Sequence, residues 1–467
     1  MFRITGVVSL LVILNAAKGQ PTPPDGLSNW SFDEITLVNG SKFQGLILAE
    51  MPEGIRFCSV SRPPGRPTVT LTDFYSKSEL AGIKKLSDSD RKTLIERLAK
   101  LDPKGEGERL RIESLEILAI AWLDKPGGGK RYESDHFILE SSGSEELIRR
   151  SAVRLEQIYT AFIRFLPPMP KDNRTKILLA TDKDEYRALL GSVVEMHLLN
   201  PAVFDPTTNR IMCWNELKRL GSELQTVRLH HSQQLATLKQ YEERVAKLYT
   251  KPELERYLTQ INMERKRVWD ADYANGKKFD LATARLFAIL YHEAFHAYVG
   301  TFVYPPLKPD DVKAGKGTGE LPRWLNEGLA QVFETAVVEA GELRADTPDR
   351  DRLLRVKDWL KGKGGGDRLV PLDDLLITGK DAFLAFHADQ KAATNRAYLT
   401  SWALAYYLTF DRRVIGTNEF KKYLIAVNSG GDPRKAFSTL VGKELSVFEK
   451  EWHTYLLRLQ SDGTLGK

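Results

Sequence analysis

The chain has 467 residues, of which 42% are hydrophobic, 28% charged and 9% aromatic, an ordinary globular mix with room for two or three domains and a sizeable core. The 68 Lys and Arg residues against 62 Asp and Glu leave a formal charge of +6, and the basic residues are mixed with acidic ones, so no nucleic-acid footprint is present. The two cysteines, Cys58 and Cys213, lack the spacing of a zinc knuckle; a disulfide between them cannot be argued from sequence, and two buried thiols are the simpler reading.

The first twenty residues, MFRITGVVSLLVILNAAKGQ, read as a secretory signal. A positive start at Arg3 precedes an apolar run from Ile4 to about Ala16, and the small residues Ala17 and Gly19 set a cut before Gln20. A signal peptide over 1–19 predicts an exported chain, periplasmic, in the cell envelope or extracellular. The apolar run is too short to span a bilayer, although an uncleaved anchor is the rival reading. No cysteine lies near the cut, which speaks against a lipoprotein, and no later stretch could cross a membrane.

Residues 31–60 alternate apolar and polar side chains, with Asn39-Gly40 predicting a two-residue hairpin turn and Glu53-Gly54 a second turn. RPTVTLTDFY adds another strand. A helix from about Ser87 to Leu101 opens on Ser and Asp caps. Together these predict a small, β-barrel-like domain plus helix over 27–101, followed by a linker at 102–109.

From 110 onward the pattern predicts an α+β lobe. LRIESLEILAIAW and YESDHFILESS are expected to form a hairpin around the Gly-rich KPGGGK (125–130), followed by an amphipathic helix over 144–166 and a buried strand at 175–182. Two short strands follow at 202–214. Residues 215–275 place apolar side chains mostly three and four apart, predicting an antiparallel helical hairpin inserted into the domain. Its second helix starts at a capping-box pattern, Thr250 with Glu253. His231 falls near its seam, as a packed or half-exposed residue rather than a ligand. Helices dominate the remainder.

LATARLFAILYHEAFHAYVG (281–300) is apolar almost all round, the mark of a helix buried in a domain. It carries His292 and His296, four residues apart and therefore on one face, about 6 Å apart along the axis. Two imidazoles so spaced can converge on one tetrahedral cation. Glu293 projects beside them, where it can take a proton from water. The alternative is a pair of packed histidines beside a salt-bridged Glu. A third ligand is required, and LPRWLNEGLAQVFE (321–334) supplies Glu327 after Pro322, which can start a helix. The gap of 327 − 296 = 31 residues lets a second helix turn back beside the first. Glu334, two turns on, lies on the same side and could orient a ligand.

HEAFH followed by WLNEGLAQVFE resembles the gluzincin branch of zinc metallopeptidases, which includes thermolysin and the large aminopeptidases. Weaker similarity, from about Ser134 to Leu457, resembles exported bacterial peptidase-like proteins of unknown substrate. The resemblance implies a zincin-like metallopeptidase domain over 110–467, with His292, His296 and Glu327 as ligands to Zn2+ and Glu293 as general base. YLTSWALAYYL (398–408) is similar to an aminopeptidase stretch whose tyrosine donates a hydrogen bond to the oxyanion, with Ser401 where they have Gly. That role falls on Tyr398; His387 is a second possible donor. No G-x-M-E-N stretch is present to hold a free amine, so the expectation is an endopeptidase acting on peptide or protein substrates. Two alternatives stay open: a catalytically silent envelope scaffold on a peptidase fold, and a zinc amidase acting on cell-wall material.

Overall fold

A computed structural model describes residues 30–466 except 63–67, 103–104, 167–173, 192–199, 215–217, 304–309, 311–319, 340–341, 345–346, 380–382 and 384–387. The signal segment 1–19 and His387 lie outside the described residues. The fold mixes α and β: a β-rich N-terminal region, a central sheet and a helical C-terminal part. None of the helices among the described residues is long and apolar enough to cross a membrane.

Five antiparallel strands open the chain: β1 (Asp33–Leu37), β2 (Lys42–Met51), β3 (Gly54–Ser61), β4 (Val69–Ser76) and β5 (Leu80–Lys84), in the order β4-β3-β2-β1-β5. β4 and β5 are the two edges, yet only a 3-10 turn, Lys77–Glu79, separates them. Laid flat, the outer strands would lie about 19 Å apart at ~4.8 Å per strand, and the chain from Ser76 to Leu80 reaches at most ~14 Å. The sheet must therefore curl toward a barrel. Ile35, Ile47, Ile55 and Phe57 fill one face. Helix α1 (Asp88–Ala99), capped by the Ser87 hydroxyl, puts Leu94 on the other face with Leu46, Cys58 and Val60. The Asn39-Gly40 turn is longer than two residues. The Val38 N–H bonds to Glu79 O, and Ser41 N–H bonds to the Asn39 side chain, which spreads the loop. This region meets the rest of the chain at Thr68, whose N–H and hydroxyl both bond to Glu339, each at 2.6 Å.

The expected linker and first strand beyond it prove to be a helix, α2 (Glu106–Ser114). Tertiary contact overrides the local signal: Ile112 is buried, and Arg149 bonds to the carbonyls of Ile112, Glu113 and Leu115, satisfying the helix end. The hairpin that follows, β6 (Leu118–Trp122) and β7 (Lys125–Glu133), turns at Leu123 and Asp124, both with positive φ. The glycines expected in the turn lie inside β7 instead. A Cβ on Gly129 would come within 2.9 Å of the Trp122 side chain, so the glycine lets Trp122 cover the strand.

β8 (Phe137–Ser141), β9 (Thr175–Ala180), β10 (Ala202–Asp205) and β11 (Arg210–Trp214) complete a six-stranded sheet, ordered β10-β11-β9-β8-β7-β6. β8, β9 and β11 run parallel, and the other pairs are antiparallel. β10 is therefore an edge. α3 (Glu145–Phe165), capped by Ser144, packs on one face, while α4 (Lys183–Leu190) sits with Tyr186, Leu178 and Met212 on the other.

The helical hairpin consists of α5 (Lys218–Leu248) and α6 (Lys251–Tyr298). Its second helix does not stop near 275 but continues into the histidine pair as one helix of 48 residues, about 72 Å long. Gly276 permits this without a break. A Cβ there would lie 2.9 Å from Arg150 Nη2, so the glycine gives room to a buried arginine. The Thr250 hydroxyl reaches Glu253 at 3.1 Å, but no side chain caps the backbone. His231 bonds to Asp272 at 3.3 Å. Beyond α6 come a five-residue π turn (Val299–Val303), α7 (Arg323–Glu334), the hairpin β12 (Val337–Glu339)–β13 (Glu342–Arg344), and α8 (Arg350–Leu360), α9 (Leu372–Leu376), α10 (Ala388–Phe410), α11 (Asn418–Asn428), α12 (Pro433–Val441) and α13 (Leu445–Arg458). Cys58 and Cys213 are both free and buried.

Candidate metal centre

Three helices build the site. α6 brings His292, Glu293 and His296 near its C-terminal end, and α7 packs beside it with Glu327 and Glu334. α10 lies against α7 on the far side. That contact is close because position 328 carries no side chain: a Cβ there would sit 2.4 Å from Ser401 O and 2.8 Å from Ala405 Cβ. The glycine of WLNEGLA is thus a packing residue, and it fixes Glu327 one residue away.

His292 Nε2 and His296 Nε2 face each other at 3.0 Å. Glu327 Oε2 lies 3.4 Å from the first and 3.6 Å from the second. The opposite ring nitrogens are taken: His292 Nδ1 donates to Glu334 Oε1 at 2.7 Å, and His296 Nδ1 donates to Asn326 Oδ1 at 3.0 Å. Arg352 holds the other Glu334 oxygen at 2.5 Å. Arg323, one helical turn before Glu327, holds Glu327 Oε1 at 2.5 Å.

This arrangement leaves three electron-rich atoms pointing at one another. With both Nδ1 atoms acting as donors, each neutral ring offers a lone pair at Nε2. Glu327 is 1% exposed, and its Oε2 has no hydrogen-bond partner. An orphaned carboxylate oxygen in that setting is costly, and a cation among the three atoms removes the cost. Tetrahedral zinc with ligands ~2.0–2.1 Å away would hold them about 3.3–3.4 Å apart, which is the middle of the observed range. His292, His296 and Glu327 also form the group of metal-ligating side chains found among the described residues. The donor set therefore fits zinc.

The charges agree. Burial alone would lower the His292 pKa, yet the Glu327 and Glu334 carboxylates outweigh it and push it up to about 10. In the absence of a metal the ring is held charged by these two carboxylates. Burial would raise Glu327, but the two histidines hold it well below the usual carboxylate range. Glu334 is likewise lowered, against its burial, by His292 and Arg352.

Glu293 is half-buried beside the cluster. Burial is the main reason the Tyr398, Cys213 and Tyr186 protons are held tightly, and the Glu293 charge adds to it in all three. The carboxylate is thus near enough to α4, β11 and α10 to act on a side chain of each. Tyr398 is brought to the same place: its phenol is raised by burial and then by Glu327, with Arg323 opposing. Its hydroxyl donates to Phe383 O at 3.3 Å. Arg323, Asn326 and Arg352 carry no role in the sequence reading. For Arg323 a signal was present, since Arg323 and Glu327 stand four apart on one helix.

A family of proteins of unknown function (DUF1570) matches residues 314–427. The matched segment holds Glu327, Glu334 and Tyr398 and begins after the histidine pair. No curated protein and no solved structure matches the chain.

Proposed function

We propose that the chain is an exported zinc-dependent metallopeptidase, with an endopeptidase action on peptides or proteins. The observation that carries the reading is the orphaned Glu327 Oε2 facing two imidazole Nε2 atoms, with the half-buried Glu293 carboxylate next to His292 on the same helix. Zinc would be held by His292, His296 and Glu327 in a zincin-like domain, and when bound it supplies a Lewis acid that polarises a carbonyl and makes water nucleophilic near neutral pH.

The chain's own groups do the rest. Glu293 accepts a proton from the attacking water and passes it to the leaving amine. Glu334 and Asn326 keep both rings turned with Nε2 inward. Strand β10 is a sheet edge above α6, with Phe204 lying over Gly300. An extended peptide can pair with such an edge through its backbone, which favours an endopeptidase. Tyr398 is the donor for the developing oxyanion once its hydroxyl turns from Phe383 O.

The test is Glu293→Ala. The variant is expected to keep its zinc and its fold while turnover of a peptide library falls by about 10²–10⁴-fold. Turnover at the wild-type rate would remove Glu293 from the mechanism.

A further inference from the structure

Glu327 uses its two oxygens differently, and Arg323 is the reason. Oε1 is held by Arg323 Nη2 at 2.5 Å, whereas Oε2 is buried, without a hydrogen-bond partner, and faces the two histidines. A carboxylate can offer a cation one oxygen or both, and a side chain 1% exposed has no water with which to satisfy a released Oε1. The pair is charge-assisted and stands four residues apart on α7, so the helix itself sets its geometry. The same guanidinium lies near enough to Tyr398 of α10 to oppose the rise of its phenol.

We infer that Arg323 is a positioning residue that restricts Glu327 to a single metal-ligating oxygen. Arg323 fixes which oxygen faces the histidines and keeps the other out of the coordination sphere, so that the remaining side of the centre stays open for water and substrate. The inference rests on the metal-centre reading proposed above.

Cobalt(II), bound in place of zinc, tests it without an activity assay, because its visible absorption is strong for four ligands and weaker for five. The intact chain and Arg323→Met would be titrated with cobalt, their folds compared by circular dichroism. Arg323→Met is expected to bind cobalt about 10–100-fold more weakly, as outer partners of metal ligands do when lost, and to show a weaker visible band as the freed Oε1 joins. Arg323→Lys, which keeps the charge and most of the length, should change both in the same direction by less, and serves if the Met variant does not fold. A visible band and affinity unchanged from wild type in a folded variant would overturn the inference alone. A wild-type chain that takes up no cobalt would overturn the metal reading and this inference together.

Discussion

His292 Nδ1 donates to Glu334 Oε1 at 2.7 Å, and Arg352 grips the other oxygen of that carboxylate at 2.5 Å. The orientation of one proposed metal ligand is therefore set two side chains away, on a different helix, α8. Glu334→Gln keeps the shape but removes the charge that holds the ring and raises its basicity. Zinc affinity is expected to fall by about 10–100-fold with little change in fold, as read by competition with a chromophoric chelator. An affinity within twofold of wild type would show that the contact does not tune the ring.

The pH dependence of the metal-free chain follows from the same cluster. His292 is raised in the fold to about 10, so its contribution is full below its unfolded value near 6.5 and is lost as pH rises toward 10. Glu327 and Glu334 are lowered, so theirs is present above about 4.3 and lost as pH falls below it. The chelator-treated chain should be stabilised most by this cluster between those limits, and its Tm should fall between pH 7 and 9.5 more than that of His292→Ala. Zinc must displace the His292 proton, so uptake at pH 7 should release protons. Calorimetry in buffers of different ionisation enthalpy measures that release, and none would contradict the charge assignment.

Gly328 is where α7 meets α10. Gly328→Ala places a Cβ 2.4 Å from Ser401 O, a backbone atom that cannot turn away. Overpacking of this kind costs about 1–3 kcal/mol, and the two helices must separate to relieve it. Both Tm and zinc affinity should drop, the second because Glu327 moves with its helix. A folded variant with a wild-type Tm would show that the helices have slack there.

The Thr68–Glu339 contact is a polar clasp between the β-rich region and the rest of the chain, with Arg344 also on Glu339 at 3.0 Å. Glu339→Ala leaves the buried Thr68 N–H and the Arg344 charge without that partner. Protease cleavage between the β-rich region and α2 should become several-fold faster, with zinc content unchanged. Equal cleavage rates would show that the clasp does not hold the two parts together.

The site was legible in sequence where chemistry imposes spacing. Histidines four apart on an apolar helix, and a carboxylate on a second helix near enough to return, are constraints that residue types alone express. Glu334 was legible for the same reason, because seven residues from Glu327 is two helical turns. Arg323 was harder to see, since an arginine four residues before a glutamate is also an ordinary surface pair, and only the burial of Glu327 gives it meaning. The fold was less legible where tertiary contacts decide. At 106–114 the acidic first turn and the Arg109–Glu113 pair are weak local signals, and the burial of Ile112 and the bonds from Arg149 decide the helix; Gly276 looks like a stop until Arg150 is seen against it. The glycines of β7 resemble a turn because their purpose, room for Trp122, lies on the neighbouring strand. Asn39-Gly40 marked a turn correctly, but its length depends on Glu79, forty residues on.

The most direct measurement is the zinc content of the purified chain beside that of His292→Ala. The account predicts about one zinc per folded wild-type chain, lost in the variant and removable by chelator with a fall in Tm. A well-folded wild-type chain that holds no zinc after the metal is supplied would contradict it and leave the two histidines and Glu327 as an ion-paired packing cluster.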